Sequence, residues 1–374
     1  MKRFLSLFLL ALCAAPTFSA PAFSAPASQS QESAAPRMEI VFVLDTTGSM
    51  DGLIDGAKKK IWSIVNQMVA AKPQPEIRVG FVAYRDKGDA YVTQVHDLTS
   101  DLDKSFATLD KFQADGGGDT PEHVNAGLHA AVSKLNWSRK VPGSKSYQVI
   151  FLVGDCPPHM DYQDGLNYKT DVKRAAGRGI VVNAIRCGDS AETQKVWLDI
   201  AKRGRGTYLT LPQDGGTISV PTPYDSAMSK LADQLENTTV AFRGRESRQR
   251  ASADSNAAAA PASKAERGAF NAKSAQIYRD FDVTTAVAGG RPVESLKSSE
   301  LPPAIAKLPA KERAAYLKKQ VARRQNIQSQ MAVLEKKRAA FIALELKQRG
   351  GQSGFDQQMM KTFRKQAIVR GFRY

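Results

Sequence analysis

The chain is poor in the residues that build disulfide-stapled domains and zinc sites. Its 374 residues include 3 cysteines, 4 histidines and 3 tryptophans. Three cysteines exclude a disulfide-rich scaffold, because such a scaffold needs several pairs in a short chain. His96, His123, His129 and His159 do not follow a zinc-ligand spacing, so we predict structural or surface roles for them.

Long apolar runs are also scarce. The run from Phe4 to Ala15 is too short to span a bilayer, and no later run approaches the ~20 apolar residues that a membrane helix needs. This run follows a basic start and precedes a stretch rich in Ala, Ser and Pro, which is the order of parts in a secretory signal peptide. We predict a signal peptide over residues 1–27, a flexible segment over 28–37, and a periplasmic or secreted mature protein.

Acidic residues are scarce only in the C-terminal third. The formal net charge is +16, yet residues 38–240 hold 23 Lys and Arg against 25 Asp and Glu, whereas residues 241–374 hold 27 against 11. A solvated helical face is the ordinary reason for such a charge. The alternative is contact with an anionic envelope surface, such as phospholipid headgroups or acidic polymers. Nucleic acid is not an expected partner, because the predicted export separates the protein from it.

The pattern from residue 38 onward alternates short apolar strands with amphipathic helices. This alternation predicts an α/β fold with a doubly wound, mostly parallel, six-stranded sheet. The predicted strands are 38–45, 77–84, 91–98, 148–154, 180–186 and 206–210. The predicted helices are 101–111, 121–135, 171–178, 192–203 and 224–235, together with one that carries Ile54, Ala57, Ile61, Val65 and Met68 on a single face. Thr120 is the expected N-cap of the helix at 121, with Pro121 at its first position.

The chain changes character after residue 240. Residues 241–264 are rich in Ser, Ala, Asn and Arg, which predicts a flexible linker. A basic helical region follows over 265–374, with a short helix at 265–278 and a long one near 311–349, where Gly and Pro are absent. Arg338 interrupts the apolar seam of the long helix, so we expect a helical hairpin or a short coiled-coil arm.

Three polar segments follow predicted strands or precede predicted helices. Asp45, Thr47 and Ser49 come directly after the first strand, Thr120 follows a glycine-rich loop, and Asp155 ends a later strand. Ligands of doubly wound sheets gather at the carboxyl ends of the strands. Carboxylate and hydroxyl oxygens suit hard divalent cations. Taken singly, the same residue types are also ordinary turn and cap formers.

Together these segments resemble the von Willebrand factor type A (vWA) domain and its metal-ion-dependent adhesion site, whose pattern is Asp-x-Ser-x-Ser, then Thr, then Asp. Thr47 stands where the pattern usually has Ser, and it keeps the hydroxyl. The resemblance covers about residues 38–240. Within the family, this part of the chain looks most like bacterial exported members. The resemblance implies a non-enzymatic protein-binding module that holds Mg²⁺, with Mn²⁺ and Ca²⁺ as alternatives, and captures an Asp or Glu of a partner. The implied metal ligands are Asp45, Thr47, Ser49, Thr120 and Asp155.

Other interpretations of the same residues stay open at this stage. Asp45-Thr46-Thr47-Gly48-Ser49 also resembles the phosphoryl-accepting loop of haloacid dehalogenase-like hydrolases, which would make Asp45 the nucleophile of a magnesium-dependent phosphohydrolase. In a third interpretation, the helical arm is the functional part.

The neighbours of the predicted ligands have their own interpretations. Asp119 and Glu122 flank Thr120. They could influence the ion, directly or through water. We favour the alternative that both are exposed acids at a helix start, where they complement the helix dipole. Cys156 and Cys187 end strands that the family's sheet order makes neighbours. A disulfide and two separate thiols are therefore equally open.

Overall fold

The computed structural model describes residues 35–51, 54, 65–66, 68–211, 220–259, 261–278, 280–348 and 355–374. The predicted signal peptide and most of the segment 28–37 lie outside these residues. So do Ala57 and Ile61 of the first predicted helix, whereas Ile54, Val65 and Met68 are described and buried.

A six-stranded sheet in the order β3-β2-β1-β4-β5-β6 forms the centre of the fold. β3 pairs antiparallel with β2, and the other neighbours pair in parallel. The predicted doubly wound, mostly parallel sheet is therefore confirmed. The strands are β1 (Arg37–Asp45), β2 (Glu76–Tyr84), β3 (Thr93–Thr99), β4 (Ser146–Gly154), β5 (Val181–Cys187) and β6 (Arg205–Leu211).

The central strands are apolar on both faces because helices cover both faces. On one face, the ring of Phe42 stacks between those of Phe81 and Phe151, with centroids 6.0 and 5.7 Å away. On the other face, Val41 and Val43 belong to a second apolar cluster. This double burial explains why the strands have nearly continuous hydrophobic sequences.

The helices follow the predicted order, but one of them starts later than predicted and an additional helix lies in the predicted linker. They are α1 (Leu102–Asp110), α2 (Val124–Ser133), α3 (Tyr168–Gly177), α4 (Ala191–Arg203), α5 (Asp225–Glu236), α6 (Glu246–Ala258), α7 (Pro261–Tyr278), α8 (Val283–Ala288), α9 (Pro303–Ala306), α10 (Ala310–Gln348) and α11 (Phe355–Val369). Short 3₁₀ turns lie at Gly48–Met50, Val293–Ser295 and Ser298–Glu300.

The start of α2 differs from the prediction. His123 caps the helix through its side chain, which accepts a hydrogen bond from the Ala126 N–H. The prediction of Thr120 as N-cap and Pro121 as first helical residue was wrong. The reason is tertiary: the Glu122 N–H donates to the Pro157 carbonyl, which holds this stretch as a loop against the segment after β4.

The segment predicted as a flexible linker is helical over most of its length, so that prediction was wrong for α6. α6 is polar, and its residues Ser252 and Asn256 are buried. Both bind the guanidinium of Arg267 on α7, whose Nε donates to Asp103 of α1 at 2.8 Å. Polar side chains thus order a segment that lacks the apolar periodicity of a predictable helix.

The long helix α10 confirms the helix predicted near 311–349, but it does not project as a free arm. Ile327 and Met331 are buried in one apolar cluster with Leu231 and Ala232 of α5. Arg338, which interrupts the seam, donates to Asp225 at 2.7 Å. Other basic residues of α10 are exposed, among them Lys318, Lys319, Arg323, Lys336 and Lys337. Contact of these residues with an anionic surface stays a prediction.

The C-terminal helix α11 completes the core on one face of the sheet. Phe363 is buried edge-on against Tyr147, with ring centroids 5.2 Å apart. Gln366 accepts from the Tyr147 hydroxyl and exchanges two hydrogen bonds with the buried Asn183 of β5. No helix within the described ranges is both long and apolar enough to cross a membrane.

Candidate metal centre

The candidate site lies at the carboxyl edge of the sheet, where β1 and β4 end side by side. Leu44 pairs with Val153, so Asp45 and Asp155 follow neighbouring strands. The glycine-rich loop that precedes α2 reaches the same edge. Sheet topology therefore explains how segments more than 60 residues apart meet.

The first loop folds back on its own carboxylate. The backbone N–H and the hydroxyl of Thr47 both donate to Asp45 Oδ1, at 3.0 and 2.7 Å. The hydroxyls of Thr47 and Ser49 lie 3.2 Å apart, because the turn over Gly48–Met50 brings the second next to the first. Three of the predicted ligands thus form one connected polar group.

Backbone hydrogen bonds attach the glycine-rich loop to this first loop. The Gly48 N–H donates to the Gly116 carbonyl at 3.0 Å, and the Asp115 N–H donates to the Thr46 carbonyl at 3.1 Å. Gly117 has a φ of +75°, and a Cβ there would lie 3.0 Å from Thr47 Cβ. A side chain at this position would therefore be both strained and crowded.

The segment after β4 pairs with the residues before α2. The Glu122 N–H donates to the Pro157 carbonyl, and the His159 N–H donates to the Glu122 carbonyl, both at 3.0 Å. The hydroxyl of Thr120 lies 3.8 Å from Cys156 Sγ. The structure thus places Thr120 next to the residue that follows Asp155, on the same edge as Asp45. Their role as metal ligands remains a prediction.

Asp45 is a buried carboxylate with a raised pKa. Its side chain is fully buried, and among the described residues Oδ2 has no hydrogen-bond partner. The pKa of Asp45 is raised from 3.8 to about 7, chiefly by burial and to a smaller degree by the Asp155 carboxylate. The hydrogen bonds from Thr47 and the nearby hydroxyl of Tyr84 oppose the rise. A buried carboxylate without a counter-charge is unfavourable. A cation beside Asp45 would remove that cost.

Glu122 is an acidic residue whose burial is not evident from the sequence. We expected an exposed acid, but only 2% of Glu122 is exposed, whereas Asp119 is exposed as expected. Burial raises the pKa of Glu122 to about 8. The sequence places Glu122 directly after a glycine-rich loop, which is a sign of a functional position. It does not show that the segment after β4 packs against Glu122.

The two cysteines are free thiols, so the disulfide considered above does not form. Cys187 is buried and Cys156 is half-buried beside Thr120. Burial raises the pKa of both thiols, and the Asp155 and Asp45 carboxylates add to the effect. Both side chains are therefore neutral at physiological pH.

Two histidines near the site have structural partners. His159 stacks on Tyr162 with centroids 4.1 Å apart, and its Nδ1 lies 2.8 Å from Asp161 Oδ1. His123 caps α2, and its Nε2 lies 3.0 Å from Asp164 Oδ2.

The donor set fits a hard divalent cation rather than a soft one. Within the described part of the chain, no group of three or more His, Cys, Asp or Glu side chains is placed to hold an ion. The candidate site instead combines two carboxylates with three hydroxyls, which are the oxygen donors that Mg²⁺ accepts while keeping several waters. Asp45, Thr47, Ser49, Thr120 and Asp155 are the residues that would hold it.

The part of the chain that contains the sheet and the candidate site matches a known family. Residues 39–200 match the family model of the von Willebrand factor A domain. A vWA domain is thus found over this part of the chain. Domains of this kind are commonly protein-interaction modules with a metal-ion-dependent adhesion site.

Individual relatives match over short parts of their own length. The chain is 24% identical over 159 residues to an ariadne-like RING finger protein of Acanthamoeba polyphaga mimivirus, which covers 42% of this chain and 15% of the viral protein. It is 36% identical over 97 residues to von Willebrand factor A domain-containing protein 7 of Mus musculus, which covers 26% of this chain and 10% of the mouse protein.

Among solved structures, the chain is similar to proximal thread matrix protein 1 from the mussel byssus, in a form with a zinc-occupied MIDAS (metal-ion-dependent adhesion site) motif. It is 17% identical with a TM-score of 0.37, and the alignment covers 48% of this chain and 42% of the mussel protein.

Proposed function

We propose that this is an exported, non-enzymatic protein whose vWA domain captures an acidic residue of a partner protein through a divalent cation. Mg²⁺ is the proposed ion. Asp45, Thr47, Ser49, Thr120 and Asp155 are the proposed ligands, and the Asp or Glu of the partner fills a position that they leave open. The proposal of export rests on the signal-peptide pattern at residues 1–27.

The observation that carries the proposal is the uncompensated carboxylate of Asp45. Its buried Oδ2 lacks a hydrogen-bond partner among the described residues, while Oδ1 is held by Thr47. A bound cation supplies the missing positive charge and an electrophilic position for a carboxylate of the partner. The two carboxylates would balance the double positive charge of the ion without exceeding it, since the three hydroxyls are neutral. The ion could therefore still attract a carboxylate of the partner.

The phosphohydrolase alternative has less support. Such an enzyme needs a lysine near the nucleophilic Asp45 to neutralise phosphate. The charged group among the main causes of the raised Asp45 pKa is a carboxylate, Asp155. Lys87, on the loop after β2, instead binds Asp164 at 3.0 Å.

The helical-arm alternative also loses support, because arginines of the C-terminal region take part in packing. Arg338 donates to Asp225 and Arg267 donates to Asp103, both on helices of the sheet-containing domain.

Capture from an envelope extract tests the proposal. Immobilised full-length protein should retain a partner in Mg²⁺, lose it in excess chelator, and regain it when Mg²⁺ is restored. Asp45→Ala should abolish retention by removing the central ligand. The matched control, Asp119→Ala, removes an exposed acid from the neighbouring loop and should retain the partner as the wild type does.

Retention that is the same with chelator, or unchanged in Asp45→Ala, would refute metal-dependent capture. Magnesium-dependent phosphatase turnover that disappears in Asp45→Asn would support the enzyme instead.

A further inference from the structure

Glu122 is a buried carboxylate for which the five predicted ligands leave no role. Hydrogen bonds fix its backbone on both sides: its N–H donates to Pro157, and its carbonyl accepts from the His159 N–H at 3.0 Å and the Val124 N–H at 2.9 Å. The residue is thereby held at the junction of the glycine-rich loop, the loop after β4 and the start of α2.

The side chain of Glu122 is directed towards the first loop. A Cβ built on Gly117 would lie 3.1 Å from Glu122 Oε1 and 3.0 Å from Thr47 Cβ. The carboxylate and Thr47 therefore pack against the same glycine. Among the described residues, Glu122 Oε2 is buried without a hydrogen-bond partner, as is Asp45 Oδ2.

The surroundings of Glu122 are acidic. After burial, the carboxylates of Asp45, Asp86, Asp89 and Asp155 are what raises the pKa of Glu122. Asp89 is held in place because its Oδ1 accepts from the Gly117 N–H at 3.0 Å. A buried carboxylate among other carboxylates is costly unless a cation balances the charge.

We propose that Glu122 is an outer-sphere carboxylate of the metal site, which accepts hydrogen bonds from the water ligands of the cation and thereby strengthens cation binding. This inference rests on the proposed metal site. Mg²⁺ keeps several of its waters when it binds to proteins, and a buried carboxylate oxygen is a strong acceptor for them.

An outer position agrees with the donor geometry. In the described part of the chain, no three His, Cys, Asp or Glu side chains are placed to hold one ion together, which agrees with an outer position for Glu122 beside the proposed ligands Asp45 and Asp155. Residues that bind to the first ligands of a metal typically change its affinity by about 10- to 100-fold.

Titration of the full-length, metal-free protein with MnCl₂ or MgCl₂, followed by calorimetry at one fixed pH, tests the inference. Glu122→Gln keeps the shape of the side chain and removes its charge, and it should weaken the affinity for the cation by about tenfold. Glu122→Asp retains the charge and should recover part of the affinity. Asp119→Asn, an exposed acid of the same loop, is the matched control and should bind as the wild type does.

Thermal unfolding separates this role from a structural one. Without metal, Glu122→Gln should unfold at or above the wild-type temperature, because an uncharged amide adds no repulsion to the neighbouring carboxylates. With saturating metal, its gain in unfolding temperature should be smaller than that of the wild type. A lower unfolding temperature without metal, combined with unchanged cation affinity, would overturn the inference in favour of a role in loop packing.

The outcomes distinguish this inference from the proposed function. Cation affinity that is equal in Glu122→Gln and wild type, while Asp45→Asn abolishes binding, refutes the role of Glu122 alone. Weaker binding in Glu122→Gln without any partner in the capture experiment supports the role of Glu122 and counts against the proposed function. A wild-type protein that binds neither ion refutes both.

Discussion

In the C-terminal helices the buried arginines meet carboxylates, whereas at the carboxyl edge of the sheet the buried carboxylates meet one another. Arg324 of α10 is 2% exposed, and its Nη1 lies 2.5 Å from Oδ2 of the fully buried Asp282. Its Nε donates to the hydroxyl of Thr238, and its Nη1 also donates to that of Thr285. At the other region, Asp45 and Glu122 each keep a buried oxygen that has no partner among the described residues.

The difference separates buried charges that stabilise the fold from buried charges that favour binding of a ligand. A charge whose partners come from the chain itself is part of the packing, and removing one partner leaves the other uncompensated. A charge that the described chain leaves unbalanced makes the apo protein less stable and favours a bound counter-ion. The largest expected effects therefore come from breaking the compensated pair.

Replacing Arg324 by Ala should cause the largest loss of stability. The change leaves Asp282 buried without its counter-charge, which typically costs about 3–5 kcal/mol. Chemical denaturation of the full-length protein measures the free energy of unfolding. The neighbouring Arg323 is exposed, so Arg323→Ala should change it by less than about 0.5 kcal/mol. Equal effects for the two variants would mean that the ion pair does not stabilise the fold.

The uncompensated region should produce a smaller, pH-dependent effect. The pKa of Asp45 rises from 3.8 to about 7 on folding, and that of Glu122 from 4.5 to about 8. The folded state therefore binds more protons than the unfolded state between these values. In chelator, the free energy of unfolding should fall as the pH rises from about 4 to 8. Asp45→Asn should flatten this fall, and saturating Mg²⁺ should oppose it.

Melting curves recorded across this pH range in chelator and in Mg²⁺ check the sign. Stability in chelator that rises with pH over this range, in both wild type and Asp45→Asn, would contradict uncompensated burial at the carboxyl edge.

The smallest expected effect concerns the two thiols beside the uncompensated region. Because Cys156 and Cys187 are free, reductant should shift the unfolding temperature by no more than about 1 °C. Thiol labelling should modify the half-buried Cys156 in the native protein, and Cys187 only after unfolding. A large loss of stability in reductant would show that the two form a disulfide in solution.

Much of the sheet could be predicted because its signals are local. β1 was predicted as 38–45 and is observed as Arg37–Asp45, since an apolar run that ends at a polar turn defines a buried strand. Thr47 and Ser49 could be predicted to lie beside Asp45, because residues two and four positions further on in one tight turn cannot lie far away.

The failures have a common cause in long-range contacts. The start of α2 moved to Val124 because the segment after β4 binds the loop before it. The linker became α6 because Arg267 binds its polar face, and the burial of Glu122 depends on Pro157 and His159. These partners are distant in sequence, and periodicity does not show them.

The sequence by itself determined the parallel sheet, the long helix α10 and the order of the polar segments, because hydrophobic period and turn chemistry act over a few neighbouring residues. Tertiary structure decided which charges are balanced. Arg267, Arg324 and Arg338 found carboxylates through helix packing, whereas Asp45 and Glu122 were enclosed with other acids by loops from separate strands. Net charge is a property of the chain, but the cost of a buried charge depends on what the fold places beside it.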